Sequence, residues 1–95
     1  MRVEFHPAAL REVEDAQAWY EARSVIAASA FLRELSLAIQ RVREAPDRHA
    51  LADAGTRRLL FDRFPFTIYY RVFKEAVIVV AVAHQKRRPG YWSMR

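Results

Sequence analysis

Phe64-Pro65-Phe66-Thr67-Ile68-Tyr69-Tyr70-Arg71-Val72 and, after Phe73-Lys74-Glu75, Ala76-Val77-Ile78-Val79-Val80-Ala81-Val82-Ala83 together decide the fold. In the first part Phe64, Phe66, Ile68, Tyr70 and Val72 alternate with Pro65, Thr67, Tyr69 and Arg71. A period of two turns one side of a strand toward a core. Lys74-Glu75 reads as a two-residue turn. Val77 to Ala83 is apolar on both sides, the mark of a strand in the middle of a sheet. Just upstream, Leu59 and Phe61 alternate with Arg58, Leu60 and Asp62, which predicts a further strand pairing with the first.

Asp47 to Thr56 is polar, contains Gly55, and reads as the one long loop. Before it the period changes. Ala27, Phe31, Leu35, Ala38 and Val42, with Ile39 beside them, recur at helical spacing, with Ser24 as a cap and Pro46 as a stop. Ala9, Val13, Ala16 and Tyr20 mark an earlier helix from about Ala8 to Ala22, with Pro7 in the first turn. Arg2 to Phe5 alternates as a short strand. Two amphipathic helices on so short a link must lie antiparallel. The order βααβββ therefore predicts a single α+β domain over residues 1–95, with a two-helix antiparallel hairpin packed on a small twisted, mainly antiparallel sheet. The other sheet face is expected to be open.

Ninety-five residues suffice for one core, and a composition 53% hydrophobic and 28% charged folds without assistance. There is no cysteine, which excludes disulfide staples, thiolate zinc sites and cysteine nucleophiles, and suits a reducing cytoplasm. The longest apolar run, Ala76 to Ala83, falls far short of the ~20 residues that span a bilayer. The start lacks the pattern of a secretory signal, so a cytoplasmic protein with no membrane partner is expected. Charge is polarised. Residues 1–54 carry seven Arg against nine acids, and residues 55–95 carry seven Arg and two Lys against Asp62 and Glu75, giving −2 and +7 within a total of +5. A field of that sign attracts polyanions or an acidic protein surface.

Three groups of residues offer chemistry. The segment His84 to Arg95 holds Lys86, Arg87, Arg88 and Arg95 with Tyr91 and Trp92 and no acid. Cations interleaved with aromatics can pair with phosphates and stack on bases, but the same segment also serves as a solubilising tail whose aromatics fold back on the core. His84, at the end of the apolar strand, can carry protons near neutral pH, whereas a single His more often only hydrogen-bonds the backbone. Arg58, Arg63, Tyr69 and Arg71 project from the strands on the side away from Phe66, Ile68 and Tyr70, forming either a cationic patch or ordinary cross-strand decoration. His6, His49 and His84 share no ligand spacing, so no metal is expected. No phosphate-cradling or nucleophile-elbow motif is present, and no cofactor is expected.

Taken in order, V-x-F-x-P-x-A at Val3 to Ala9, Trp19-Tyr20, F-x-x-E-L at Phe31 to Leu35, R-R-x-x-F-D-R-F-P-F-x-I-Y-Y-R-V at Arg57 to Val72, and A-V-A-H-x-x-R-x-P-x-Y-W-x-x-R at Ala81 to Arg95 resemble the RelE/ParE superfamily of toxins from type II toxin-antitoxin modules, also called plasmid stabilization proteins. The resemblance covers nearly the whole chain. It implies the same helical hairpin on a sheet, and a cognate antitoxin that holds the toxin inactive as a hetero-oligomer. Two mechanisms follow from it. ParE-like members poison DNA gyrase, and the strand patterns here are closer to them. Target contacts would then fall to Arg58, Arg63, Tyr69, Arg71, Arg88 and Trp92. RelE-like members are ribosome-dependent, metal-independent mRNA endoribonucleases, and by position His84, Lys86, Arg87 and Tyr91 would be the catalytic set. A basic nucleic-acid- or protein-binding module without toxicity is the further alternative. Trp19 and Ile26 lie outside the helix stripes, where an acidic, partly disordered antitoxin could lay a helix or add a strand.

Overall fold

The computed structural model describes residues 1–95. Strand β1 (Arg2–Phe5) leads into helices α1 (Pro7–Glu21) and α2 (Val25–Glu44), followed by strands β2 (Ala50–Ala52), β3 (Thr56–Leu60), β4 (Phe66–Val72) and β5 (Ala76–His84). The five strands form one sheet in the order β1-β5-β4-β3-β2. Only the β1–β5 pair is parallel, so the expected helical hairpin does rest on a mainly antiparallel sheet.

Local chemistry sets the helix ends. His6 Nδ1 accepts from the Ala8 N–H at 3.0 Å and Pro7 needs no partner in the first turn of α1. Ser24, in extended conformation, accepts from the Ala27 N–H at 3.1 Å, and Arg41 and Arg43 in the last turn of α2 complement the helix dipole. Ala9, Val13 and Ala16 from α1 and Phe31, Leu35, Ala38 and Val42 from α2 are buried against Phe66, Ile68 and Tyr70 of β4 and Val77, Val79 and Val82 of β5, and Ala28 of α2 is buried as well. The α2 stripe begins at Ala28 rather than Ala27. Phe31 is the centre of an aromatic cluster, with Tyr20, Phe61, Phe64 and Phe66 at ring-centroid distances of 5.3 to 5.8 Å.

Three expectations change. The segment read as a polar loop contains strand β2 and a tight turn, and β3 begins at Thr56, before the apolar alternation that signalled it. Backbone pairing with β3 needs no apolar side chains, so a hydrophobic pattern does not reveal it. Phe61 lies beyond β3 and is buried from the connection. The third change concerns the sheet face away from the helices, which is covered along β4 and β5. Gly90, at φ +83°, reverses the chain and brings Trp92 back onto Tyr69, with ring centroids 3.6 Å apart and planes 24° from parallel. Trp92 is 2% exposed and packs with Val80 and Ala81. A strip of apolar side chains on that face needed a cover, and the tail supplies one. No helix is long and apolar enough to cross a membrane.

Strand β5 carries a bulge. Tyr69 pairs with Ala81 and Tyr70 with Val79, leaving Val80 as an extra residue. The bulge shifts the alternation, so that Val77, Val79 and Val82 join the core under the helices while Val80 and Ala81 lie beneath Trp92.

Candidate functional site

The bulge also determines the surroundings of His84. Beyond it Val82 and His84 share the helix side of the sheet, and the His84 ring meets Phe66 edge-on at 5.3 Å. Strand β1 has ended by then, its last bond running from the His6 N–H to the Val79 carbonyl. The outer edge of β5 past Val79 would be left without partners. Side chains take their place. Glu12 Oε1 accepts from the Val82 N–H at 3.0 Å, and the Arg95 guanidinium donates to the Val80 carbonyl at 3.0 Å.

Glu12 is the organising residue of this region. Besides Val82, its carboxylate accepts from Arg95 Nη1 at 2.9 Å and from the Tyr91 hydroxyl at 2.6 Å, with Arg87 Nη1 at 3.9 Å. Its side chain is only 14% exposed, and that of Arg95 19%, so the pair is shielded from bulk water. Arg87 lies over the Tyr91 ring, its guanidinium carbon 3.9 Å from the centroid. Burial, then the hydrogen bond and the charge of Glu12, hold the Tyr91 phenol well above its ordinary range. Burial raises Tyr20 and Tyr70 as well. A phenol with a raised pKa in the folded chain contributes stability in full below its ordinary value of 10.0, and this is lost as pH rises toward the folded value. Equilibrium unfolding in urea should therefore show a stability that declines above about pH 10, with the decline shallower in Tyr91→Phe. An identical slope in the two proteins would remove Tyr91 from this account.

Beside the network, between α1 and the junction of β4 and β5, lies a cleft of about 490 Å³. Trp19, Tyr20, Phe66 and Val82 form apolar walls; Asp15, Glu12, His84 and Arg87 supply the polar groups. Arg87 and Tyr91 thus meet at Glu12 and His84 lines the same cleft, while Lys86 is exposed on the turn beyond, where its backbone N–H donates to His84 Nδ1 at 3.1 Å. No cluster of His, Cys, Asp and Glu suited to a metal ion is present.

The other site residues divide into two groups. Arg58, Arg63 and Arg88 are exposed and turn their cations to solvent. Tyr69, Arg71 and Trp92 are occupied within the molecule. Arg71 donates to the Ala54 carbonyl through Nε and Nη2 at 3.3 and 3.0 Å, and to the Arg95 carbonyl through Nη1 at 2.6 Å, clamping the β2–β3 turn to the tail. The turn it grips holds Ala54 in left-handed conformation at φ +58°. Glu12 is not among the sequence-predicted site residues, since it lies outside the stripe of Ala9, Val13, Ala16 and Tyr20. It lies on a row with Ala16 and Trp19, spaced four and three residues, and all three line the cleft.

Comparison with known proteins accords with this architecture. No curated protein matches the chain. A chain of the solved structure titled "Chromosomal ParDE TA system from P. aeruginosa" shares the fold, with a TM-score of 0.64 and 16% identity over 88% of this chain and 95% of that one. The family model described as "ParE toxin of type II toxin-antitoxin system, parDE" matches residues 3–89, which span both helices, all five strands and the cleft. The chain belongs to the ParE toxin family of type II toxin-antitoxin systems.

Proposed function

We propose that this toxin arrests growth by binding DNA gyrase rather than by cutting RNA, and that a cognate antitoxin neutralises it. The observation that carries the choice is the network on Glu12. Cleavage by attack of a ribose 2′-OH needs a free base, a free acid and fixed cations around a phosphate. Here Tyr91 gives its proton to a hydrogen bond with Glu12, Arg95 is paired, and Arg87 is drawn toward the same carboxylate. Glu12 and Asp15 would face the phosphodiester. Two carboxylates in such a cleft repel a phosphate and favour a binding role. The exposed Arg58, Arg63, Lys86 and Arg88 remain as contacts for the target, with Tyr69, Arg71 and Trp92 as their support.

The antitoxin reading draws on family membership and on the exposed apolar side chains of the hairpin, Trp19 at 53% and Ile26 at 83%. Copurification with the product of the adjacent gene, with association slowed by salt, is the expected behaviour. Target choice is tested by His84→Ala. Induced in a bacterium, the variant should arrest growth as the parent does, and purified toxin should block gyrase supercoiling while leaving mRNA on translating ribosomes intact. Loss of a true general acid or base costs about 10²- to 10⁴-fold in rate. A drop of that size in toxicity with the fold preserved, or early mRNA cleavage, would overturn the proposal in favour of the nuclease.

A further inference from the structure

The cleft holds two carboxylates, Glu12 and Asp15, on a basic protein. Helix α1, which forms one wall, carries Arg11 against Glu12, Glu14, Asp15 and Glu21, a net of −3, while the whole chain is +5. Glu12 is compensated by Arg95 and Arg87, but Asp15 takes part in no ion pair and lines the cleft as an unmatched carboxylate. Next to it stand the flat rings of Trp19, Tyr20 and Phe66. An apolar aromatic wall with a free carboxylate at its rim is complementary to a planar, delocalised cation, which stacks on the rings and offers paired N–H donors to the carboxylate. The chain itself shows that its aromatic rings accept this group. The Arg23 guanidinium carbon lies 3.6 Å from the centre of the Trp19 ring without lining the cleft, and Arg87 sits over Tyr91 in the same way.

We propose that this cleft is a receptor for an arginine side chain presented by a protein partner. The side chain enters between Trp19 and Phe66 with its guanidinium against Asp15, and the walls at Tyr20 and Val82 hold the apolar stem. The site is independent of whether gyrase is the target. It assigns opposite chemistry to two neighbouring parts of the surface, with the exposed Lys86 and Arg88 for acidic surfaces and the α1 cleft for a basic one. Salt weakens both contacts, but only the cleft distinguishes arginine from its uncharged isostere.

The test uses N-acetyl-arginine methylamide and the neutral N-acetyl-citrulline methylamide as probes, followed by two-dimensional NMR on the labelled toxin. Arginine should produce saturable shifts at the Trp19 indole N–H and at Val82 and His84, with a dissociation constant near about 1 mM, as suits so small a ligand. The buried Trp92 indole N–H should stay unmoved and reports that the fold is intact. Citrulline should bind about tenfold more weakly, and Asp15→Asn should weaken arginine by a similar factor. Trp19→Ala should abolish the saturable shifts. Equal binding of the two probes, shifts scattered over the surface, or unchanged affinity in Asp15→Asn with the Trp92 signal in place would each overturn the proposal.

Discussion

Trp92→Ala should lower the free energy of unfolding by about 3–5 kcal/mol, the cost typical of removing a large buried aromatic. The indole is 2% exposed, stacks on Tyr69 and covers Val80 and Ala81, so its loss uncovers the apolar strip of β4 and β5 on that face. Its Nε1–H is buried without a partner. Part of the gain from burying the ring is therefore already spent on that orphan donor. Trp92→Phe should accordingly recover more than half of the loss, since it keeps an aromatic stack and removes the unpaired N–H. Urea unfolding followed by circular dichroism provides the comparison. A deficit below about 1 kcal/mol in the alanine variant would mean that the tail contributes little to stability.

Glu12→Ala is expected to cost about 3 kcal/mol, because one truncation removes an acceptor from each of three buried or half-buried partners. The Val82 N–H and the Tyr91 hydroxyl lose their acceptor, and the Arg95 guanidinium loses its counter-charge and keeps only the Val80 carbonyl. The damage should be local as well as global. Without Glu12 the tail loses two of its anchors, while Trp92 and the Arg71 clamp remain. Trypsin should then cut after Lys86 or Arg87 well below the global unfolding temperature. Glu12→Gln keeps an acceptor but no charge to face Arg95, and should fall between the variant and the parent. Proteolysis of Glu12→Ala at the parental rate, with unchanged stability, would refute the view of Glu12 as the anchor of the tail.

How far the sequence could be read differs from element to element. The helices were legible because each presents a one-sided stripe that only a 3.6-residue period produces, and because Ser24 and Pro46 mark the limits of the second. Strands β4 and β5 were legible from alternation and from a continuous apolar run. Strand β2 was not, since Ala50-Leu51-Ala52 at a sheet edge is held by backbone bonds to β3 and by almost no burial. The run that revealed β5 concealed its bulge. Where every side chain is apolar, a one-residue phase shift leaves no trace in the pattern. Among the site residues, the exposure of Arg58, Arg63 and Arg88 followed from charge. The engagement of Arg71 depends on carbonyls at Ala54 and Arg95, brought to it from distant parts of the chain.

By itself the sequence determined the order of elements apart from β2, the helix faces that meet the sheet, the concentration of positive charge in the second half, and a family pattern over nearly the whole chain. Those properties depend on local propensity and on periodicity, which are written along the chain. Only the tertiary structure decided what the charged and aromatic residues of the tail do. Whether Trp92 meets a partner or the sheet, and whether Tyr91 is a free acid or a donor to Glu12, depends on contacts across 23 and 79 residues of chain between residues 69 and 92 and between 12 and 91. Such contacts form because an uncovered apolar face and an unpaired strand edge must each find a partner, and that demand arises only once the sheet exists.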